Sequence, residues 1–153
     1  MSRATDDVVK RTFDHVARAS GFSRRSSTWY RRTPELVQVL NLQRSSWSRL
    51  YYVNVGLWLL ALGDNDHPKE YQCHVRTRLD GLLADEAHEV GTLLDLENAL
   101  AEEERAQRLE AVLRVRLIPV LDEVQSLRDL KGPRGRRLRD FVLVDALALL
   151  GSG

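Results

Sequence analysis

The sequence predicts an α+β fold: an N-terminal helix, a four-stranded antiparallel meander sheet, then two or three C-terminal helices packed on one sheet face. Three observations carry this. Apolar and polar residues alternate between residues 28 and 79, the period of strands. Helical spacing appears only before and after that stretch. Turn residues, not helical crossovers, separate the β-like runs, which argues for antiparallel neighbours.

Thr5, Asp6 and Asp7 form a good helix start, with a capping side chain and acids at the positive dipole end. Val9, Phe13, Val16 and Ala17 follow at helical spacing, and Gly21 suits the left-handed position after a helix, so residues 6–20 read as a helix. The basic stretch 23–27 reads as a loop and residues 28–33 as an edge strand that Pro34 ends. Residues 35–44 and 50–60 read as a hairpin joined by the connection 45–48. Residues 63–68 are a dense turn signal, and residues 71–79 read as the fourth strand.

Splitting the three longer runs by parity separates two faces. One collects Leu36, Leu40, Leu42, Tyr51, Val53, Val55, Leu57, Leu59, Cys73, Val75 and Leu79. The other collects Asn41, Gln43, Tyr52, Asn54, Gly56, Trp58, His74, Arg76 and Arg78. Asn and Gly are disfavoured inside strands, so the second face reads as solvent surface or as a prepared binding surface.

Beyond Asp80-Gly81 the chain turns to Leu, Ala, Glu and Arg, and residues 93–130 read as helical. Leu109, Leu113, Leu117, Leu121, Val124 and Leu127 or Arg128 trace one stripe, and Pro119 predicts a kink or a split into two helices. Residues 131–133 break the pattern, residues 134–150 read as a last helix, and residues 151–153 as a flexible end of a single domain, 1–150.

Composition bounds the function. With 43% hydrophobic and 29% charged residues the chain reads as globular, not disordered. No apolar run reaches the roughly 20 residues a membrane helix needs. Acids occupy the place of a signal peptide's apolar core, and one cysteine allows no internal disulfide, so a cytoplasmic protein is expected. Charge is segregated: residues 1–32 hold eight Lys/Arg against three acids, and residues 85–110 nine acids against two Arg. Such blocks read first as solvated helix faces, and Glu102, Glu103 and Glu104 as groups able to steer a basic partner.

Several pieces in order, Gly21-Phe22, Trp29-Tyr30-Arg31, Val39-Leu40-Asn41-Leu42-Gln43-Arg44-Ser45, Tyr52-Val53-Asn54-Val55-Gly56 and His74-Val75-Arg76-Thr77-Arg78-Leu79, resemble the bacterial domain-of-unknown-function family 4304. The resemblance spans about residues 8–80. It implies a small cytoplasmic α+β protein and no reaction.

The candidate site is the polar face: Asn41, Gln43, Tyr52, Asn54, Trp58, His74, Arg76 and Arg78, where amides and Arg stand beside aromatic bodies able to grip a partner's carboxylates or backbone. A protein partner fits this best, by class analogy with immunity proteins. A nucleic acid or small ligand on the same face is the alternative, with Arg24, Arg25, Arg31 and Arg32 interleaved with Trp29 and Tyr30 as phosphate and stacking groups. An enzyme with an unrecognised site around His74 and Arg76 is a further alternative, although Asp80 is the nearest carboxylate in sequence. Cys73 and His74 point to opposite faces of a strand, which leaves Cys73 an inert core thiol. No cofactor is expected, and His15, His67, His74 and His88 lack metal-ligand spacing.

Overall fold

A computed structural model describes the backbone of residues 2–151 and the side chains of residues 8–151. The class is α+β, and the sheet has six antiparallel strands in the order of the chain, not four. They are β1 (Ser23–Arg25), β2 (Thr28–Arg32), β3 (Leu36–Arg44), β4 (Tyr51–Leu59), β5 (Val75–Arg78) and β6 (Phe141–Val142). The central β3–β4 hairpin is the predicted one.

The first helix, α1, runs Ser2–Ala19, so residues 5–7 lie inside it and do not start it. Its end is as predicted: Gly21 takes φ 94°, its N–H donates to the Arg18 carbonyl at 3.0 Å, and the Phe22 N–H reaches back to the Ala17 carbonyl at 3.0 Å. This paired closure satisfies carbonyls that no helical N–H reaches. Phe22 is buried beneath it.

The two extra strands take in segments read otherwise. The loop 23–27 is a hairpin: Arg25 pairs Thr28 around Ser26 at φ 56°, so β2 lies inside the sheet and not at its edge. All three β1 residues are exposed, which is why no apolar alternation marks it. The helix expected over 134–150 is instead a 3-10 turn (Pro133–Leu138), β6, and a short helix α7 (Val144–Leu150). The fourth predicted strand shortens to β5, because residues 70–72 wind into a 3-10 turn before it.

The remaining helices are α2 (Leu79–Leu82), α3 (Ala87–Leu94), α4 (Glu102–Val112), α5 (Ile118–Asp122) and α6 (Leu127–Lys131). Residues 95–101 therefore interrupt the expected helical stretch. At Pro119 the chain bends through a π-helical turn, Leu113–Leu117, placed between α4 and α5. Proline cannot donate to the carbonyl one turn back, and a wider turn ahead of it absorbs the mismatch. The stripe Leu109, Leu113, Leu117, Leu121 and Val124 is buried, as its spacing predicts.

One large cluster joins that stripe and Val9, Phe13 and Val16 of α1 to Leu36, Leu40, Leu42, Val53, Val55, Leu57, Leu59, Val75 and Leu79. Gln38 sits in the same layer, fully buried, and donates from Nε2 to the Leu121 and Val124 carbonyls at 2.8 Å each. It also accepts from Arg31 Nε at 2.8 Å. A polar residue in a core layer is thus fully bonded, and it closes the end of α5.

The opposite face has a small cluster of its own, Tyr30, Val37, Val39 and Cys73, with Trp58 and Leu60 against it. Cys73 belongs there, and not on the aliphatic face where strand parity put it. The reason is that residue 73 precedes β5 and is set by the 3-10 turn, so parity does not apply. The turn seats on Gly56: a Cβ at that position would stand 2.8 Å from Cys73 Sγ. Gly56 in mid-strand therefore marks a close approach by a neighbouring segment.

Candidate functional site

Antiparallel register builds the polar face. Asn41 pairs Asn54, Gln43 pairs Tyr52, Asn54 pairs Arg78 and Gly56 pairs Arg76. The side chains then form one chain of bonds. Asn54 Nδ2 donates to Asn41 Oδ1 at 3.0 Å and to Gln43 Oε1 at 2.9 Å, and Asn54 Oδ1 accepts from Arg78 Nε at 3.2 Å. Asn41 Nδ2 continues to the Thr28 hydroxyl at 3.0 Å and the Ser27 carbonyl at 3.3 Å, tying the face to the β1–β2 turn. Asn54 is only 6% exposed, so it positions its neighbours and is not itself a contact surface.

Each arginine of β5 lies on an aromatic ring: Arg78 stands 4.3 Å from the Tyr52 centroid and Arg76 4.4 Å from that of Phe141. Cation–π contact fixes both planes. Beside them opens a cleft of about 480 Å³ lined by Asn54, Glu70, Arg76, Arg78, Asp80, Asp140 and Phe141, among others. Burial pushes the Glu70 carboxyl upward, against the pull of Arg76 and Arg78. A second cleft of about 310 Å³, with Arg25, His67 and Lys69 on its walls, lies across the Glu70 turn.

Six of the eight candidates are brought together: Asn41, Gln43, Tyr52, Asn54, Arg76 and Arg78. Trp58 and His74 are not. Their rings pack at 4.2 Å, Trp58 Nε1 donates to the Gly63 carbonyl at 2.8 Å, and His74 Nδ1 accepts the Leu59 N–H at 2.9 Å. Both side chains hold the end of β4 and the turn that follows it. Sequence reasoning missed Glu70, Asp140 and Phe141, because they lie in a turn read as strand or loop and in a segment read as helix.

The His74 bond needs a neutral imidazole, and burial lowers its pKa below the usual 6.5, partly opposed by Asp145. The unfolded chain then binds the proton more readily than the folded one. Stability from this group is intact above about pH 6.5, falls as pH drops below it, and levels off beneath the folded pKa. A His74→Asn variant, whose Oδ1 takes the place of Nδ1 as acceptor of the Leu59 N–H, is expected to lose less thermal stability between pH 7.5 and 5 than the wild type. Equal losses would contradict this.

The basic candidates fare differently. Trp29 is fully buried on Phe13 and donates from Nε1 to Asp14 at 2.8 Å, and Tyr30 is 7% exposed, so neither ring is open to stack a base. Arg31 lies on the helix side, paired to Asp122 at 2.9 Å over the Phe22 ring. Arg32 pairs with Asp66, and Arg24 covers Trp29 while bonding the Ser26 carbonyl at 2.6 Å. Arg25 alone of the four lines a cleft on the polar face. Part of the acidic block is ion-paired: Glu89 and Glu104 hold Arg108, Glu86 holds Arg116, Glu110 holds Arg114 and Glu102 reaches Arg11 at 4.0 Å.

Cys73 is fully buried and burial pushes its thiol up to about 12, an inert group at neutral pH. Among the described residues no three of His, Cys, Asp and Glu converge as metal ligands, and no helix is long and apolar enough to cross a membrane.

Fold and face together define a small α+β protein with a six-stranded meander, helices on one side and a bonded polar network on the other. The model of a domain of unknown function, DUF4304, matches residues 13–123, well over half of the chain, and the protein belongs to that family. Neither a curated protein nor a solved structure matches it.

Proposed function

We propose that this protein acts by binding a protein partner through the polar sheet face and catalyses no reaction. One observation carries the reading. The chain Asn41/Gln43–Asn54–Arg78 presents arginines already ordered on aromatic rings beside an open cleft. Ordering the contact groups beforehand removes part of the entropy cost of association. Arg and aromatic residues are also the types that dominate binding energy at interfaces. A size and class like those of immunity proteins supports the same reading by analogy only. A single buried thiol suits a reducing compartment, and we place the protein in the cytoplasm.

The test is affinity capture from extract of its native cells with the double variant Arg76→Ala, Arg78→Ala. Capture of the partner is expected to fall at least tenfold while the thermal midpoint moves by only a few degrees, since neither residue belongs to the buried core and Asn54 loses one of its three bonds. Undiminished capture would refute the reading. Asn54→Ala is the structural control: it strips three bonds from a buried amide and is expected to cost about 1–3 kcal/mol.

A further inference from the structure

We infer that the Arg76 cleft receives a partner segment carrying both signs of charge: an Asp or Glu side chain on Arg76 and Arg78, and a Lys or Arg side chain on Glu70 and Asp140. This rests on the reading of the polar face as a partner surface and names what that partner must present.

Five charged side chains, Glu70, Arg76, Arg78, Asp80 and Asp140, line this one cleft. None of them forms an ion pair within 4.0 Å with any described residue. By contrast, Arg18, Arg31, Arg32, Arg108, Arg114 and Arg116 each hold a carboxylate of this chain.

Arg76 carries a more specific sign. Its Nε is buried and has no acceptor. A buried donor left unmade is a cost that an arriving carboxylate removes, and a carboxylate spans the edge of a guanidinium with two bonds. Phe141, whose ring covers that guanidinium, is 48% exposed on the two-residue strand β6, so the ring can shift to admit the acceptor. Glu70 answers in the same cleft: a carboxyl that burial disfavours gains from a cation beside it.

Three carboxylates against two guanidiniums argue against a purely anionic ligand. A phosphate chain or a run of acids would meet Glu70, Asp80 and Asp140 at close range, and like charges brought together are penalised. A purely cationic one would meet the two arginines. The volume, about 480 Å³, is of the size that takes a few side chains.

The experiment titrates ¹⁵N-labelled protein with three capped pentapeptides: Gly-Glu-Ser-Lys-Gly, Gly-Glu-Ser-Glu-Gly and Gly-Lys-Ser-Lys-Gly. The mixed peptide is expected to shift the Arg76 Nε–H resonance and the Glu70 and Phe141 amides, and to bind at least tenfold more tightly than either single-sign peptide. Arg76→Lys, which keeps the charge and loses the flat two-donor edge, is expected to weaken it about tenfold; Glu70→Gln is expected to erase its advantage over the acidic peptide. Equal or tighter binding of the acidic peptide, or equal binding of free glutamate and lysine, would overturn the inference. If no peptide shifts these resonances while Arg76→Ala, Arg78→Ala still abolishes partner capture, the mixed-charge inference falls and the partner surface stands. If capture survives as well, both fall.

Discussion

Arg105→Met is expected to lower stability by about 3 kcal/mol, the largest effect of any single charged side chain in the described structure. Arg105 sits on α4 and is 1% exposed. Its Nη1 donates to the carbonyls of Leu93 at 2.5 Å, Thr92 at 3.3 Å and Asp95 at 3.4 Å, and Nη2 to that of Asn98 at 2.6 Å. The first two belong to the last turn of α3, where no helical N–H reaches them. One guanidinium thus closes a helix end and ties down the irregular 95–101 segment, with its charge at the negative end of the helix dipole.

Methionine fills similar space but donates nothing, so four carbonyls lose a partner. For a chain of this size about 3 kcal/mol corresponds to a fall of roughly 6–12 °C in the thermal midpoint. Arg105→Lys is expected to recover only part, because an ammonium is a compact point and cannot span four acceptors held by a flat fork. Chemical denaturation checks both, and a loss below about 1 kcal/mol for Arg105→Met would contradict the assignment.

Gly56→Ala is expected to cost about 1–3 kcal/mol and to weaken partner capture as well. The added Cβ would stand 2.8 Å from Cys73 Sγ and 2.9 Å from Cys73 Cβ, closer than carbon atoms approach without displacement. Strand β4 lies in mid-sheet, so the 3-10 turn of residues 70–72 must lift instead. Glu70 would then leave its place between the two clefts. The diagnostic is a double-mutant cycle with Cys73→Gly, which removes both clashing atoms. The two changes are expected to couple by about 1 kcal/mol or more, Cys73→Gly relieving Gly56→Ala. Additive costs would show that the turn is not seated on Gly56.

Much of the candidate site was legible because strand parity is a local rule. Asn41, Gln43, Tyr52, Asn54, Arg76 and Arg78 lie within strands, and two-residue alternation alone puts them on one side. His74 and Trp58 obeyed the same parity, yet they turned inward, because a bond to the Leu59 N–H and one to the Gly63 carbonyl were within reach. Cys73 escaped the rule by lying two residues before the strand's start. Gln38, which parity assigns to the aliphatic layer, is polar there because two carbonyls ending α5 need donors, a demand set more than eighty residues away.

The basic stretch shows the same division. Arg24, Arg31 and Arg32 look alike in sequence, and each is engaged by a partner far along the chain: Asp14, Asp122 and Asp66. Nothing local distinguishes them from Arg25, which faces the second cleft.

From its residues alone this protein is an α+β chain with one aliphatic and one amide-rich sheet face, a first helix closed by Gly21 and a later helical stripe of leucines. Those features follow from backbone periodicity and φ preferences within about ten residues, which no distant contact has to supply. Tertiary structure alone decided that Phe141 and Val142 pair onto β5 and bring Asp140 to the cleft, that Glu70 stands over Gly56, and that Arg31 is spent on a helix. These are juxtapositions of segments remote in sequence, set by how helices and strands close over a shared core, and no local spacing encodes them.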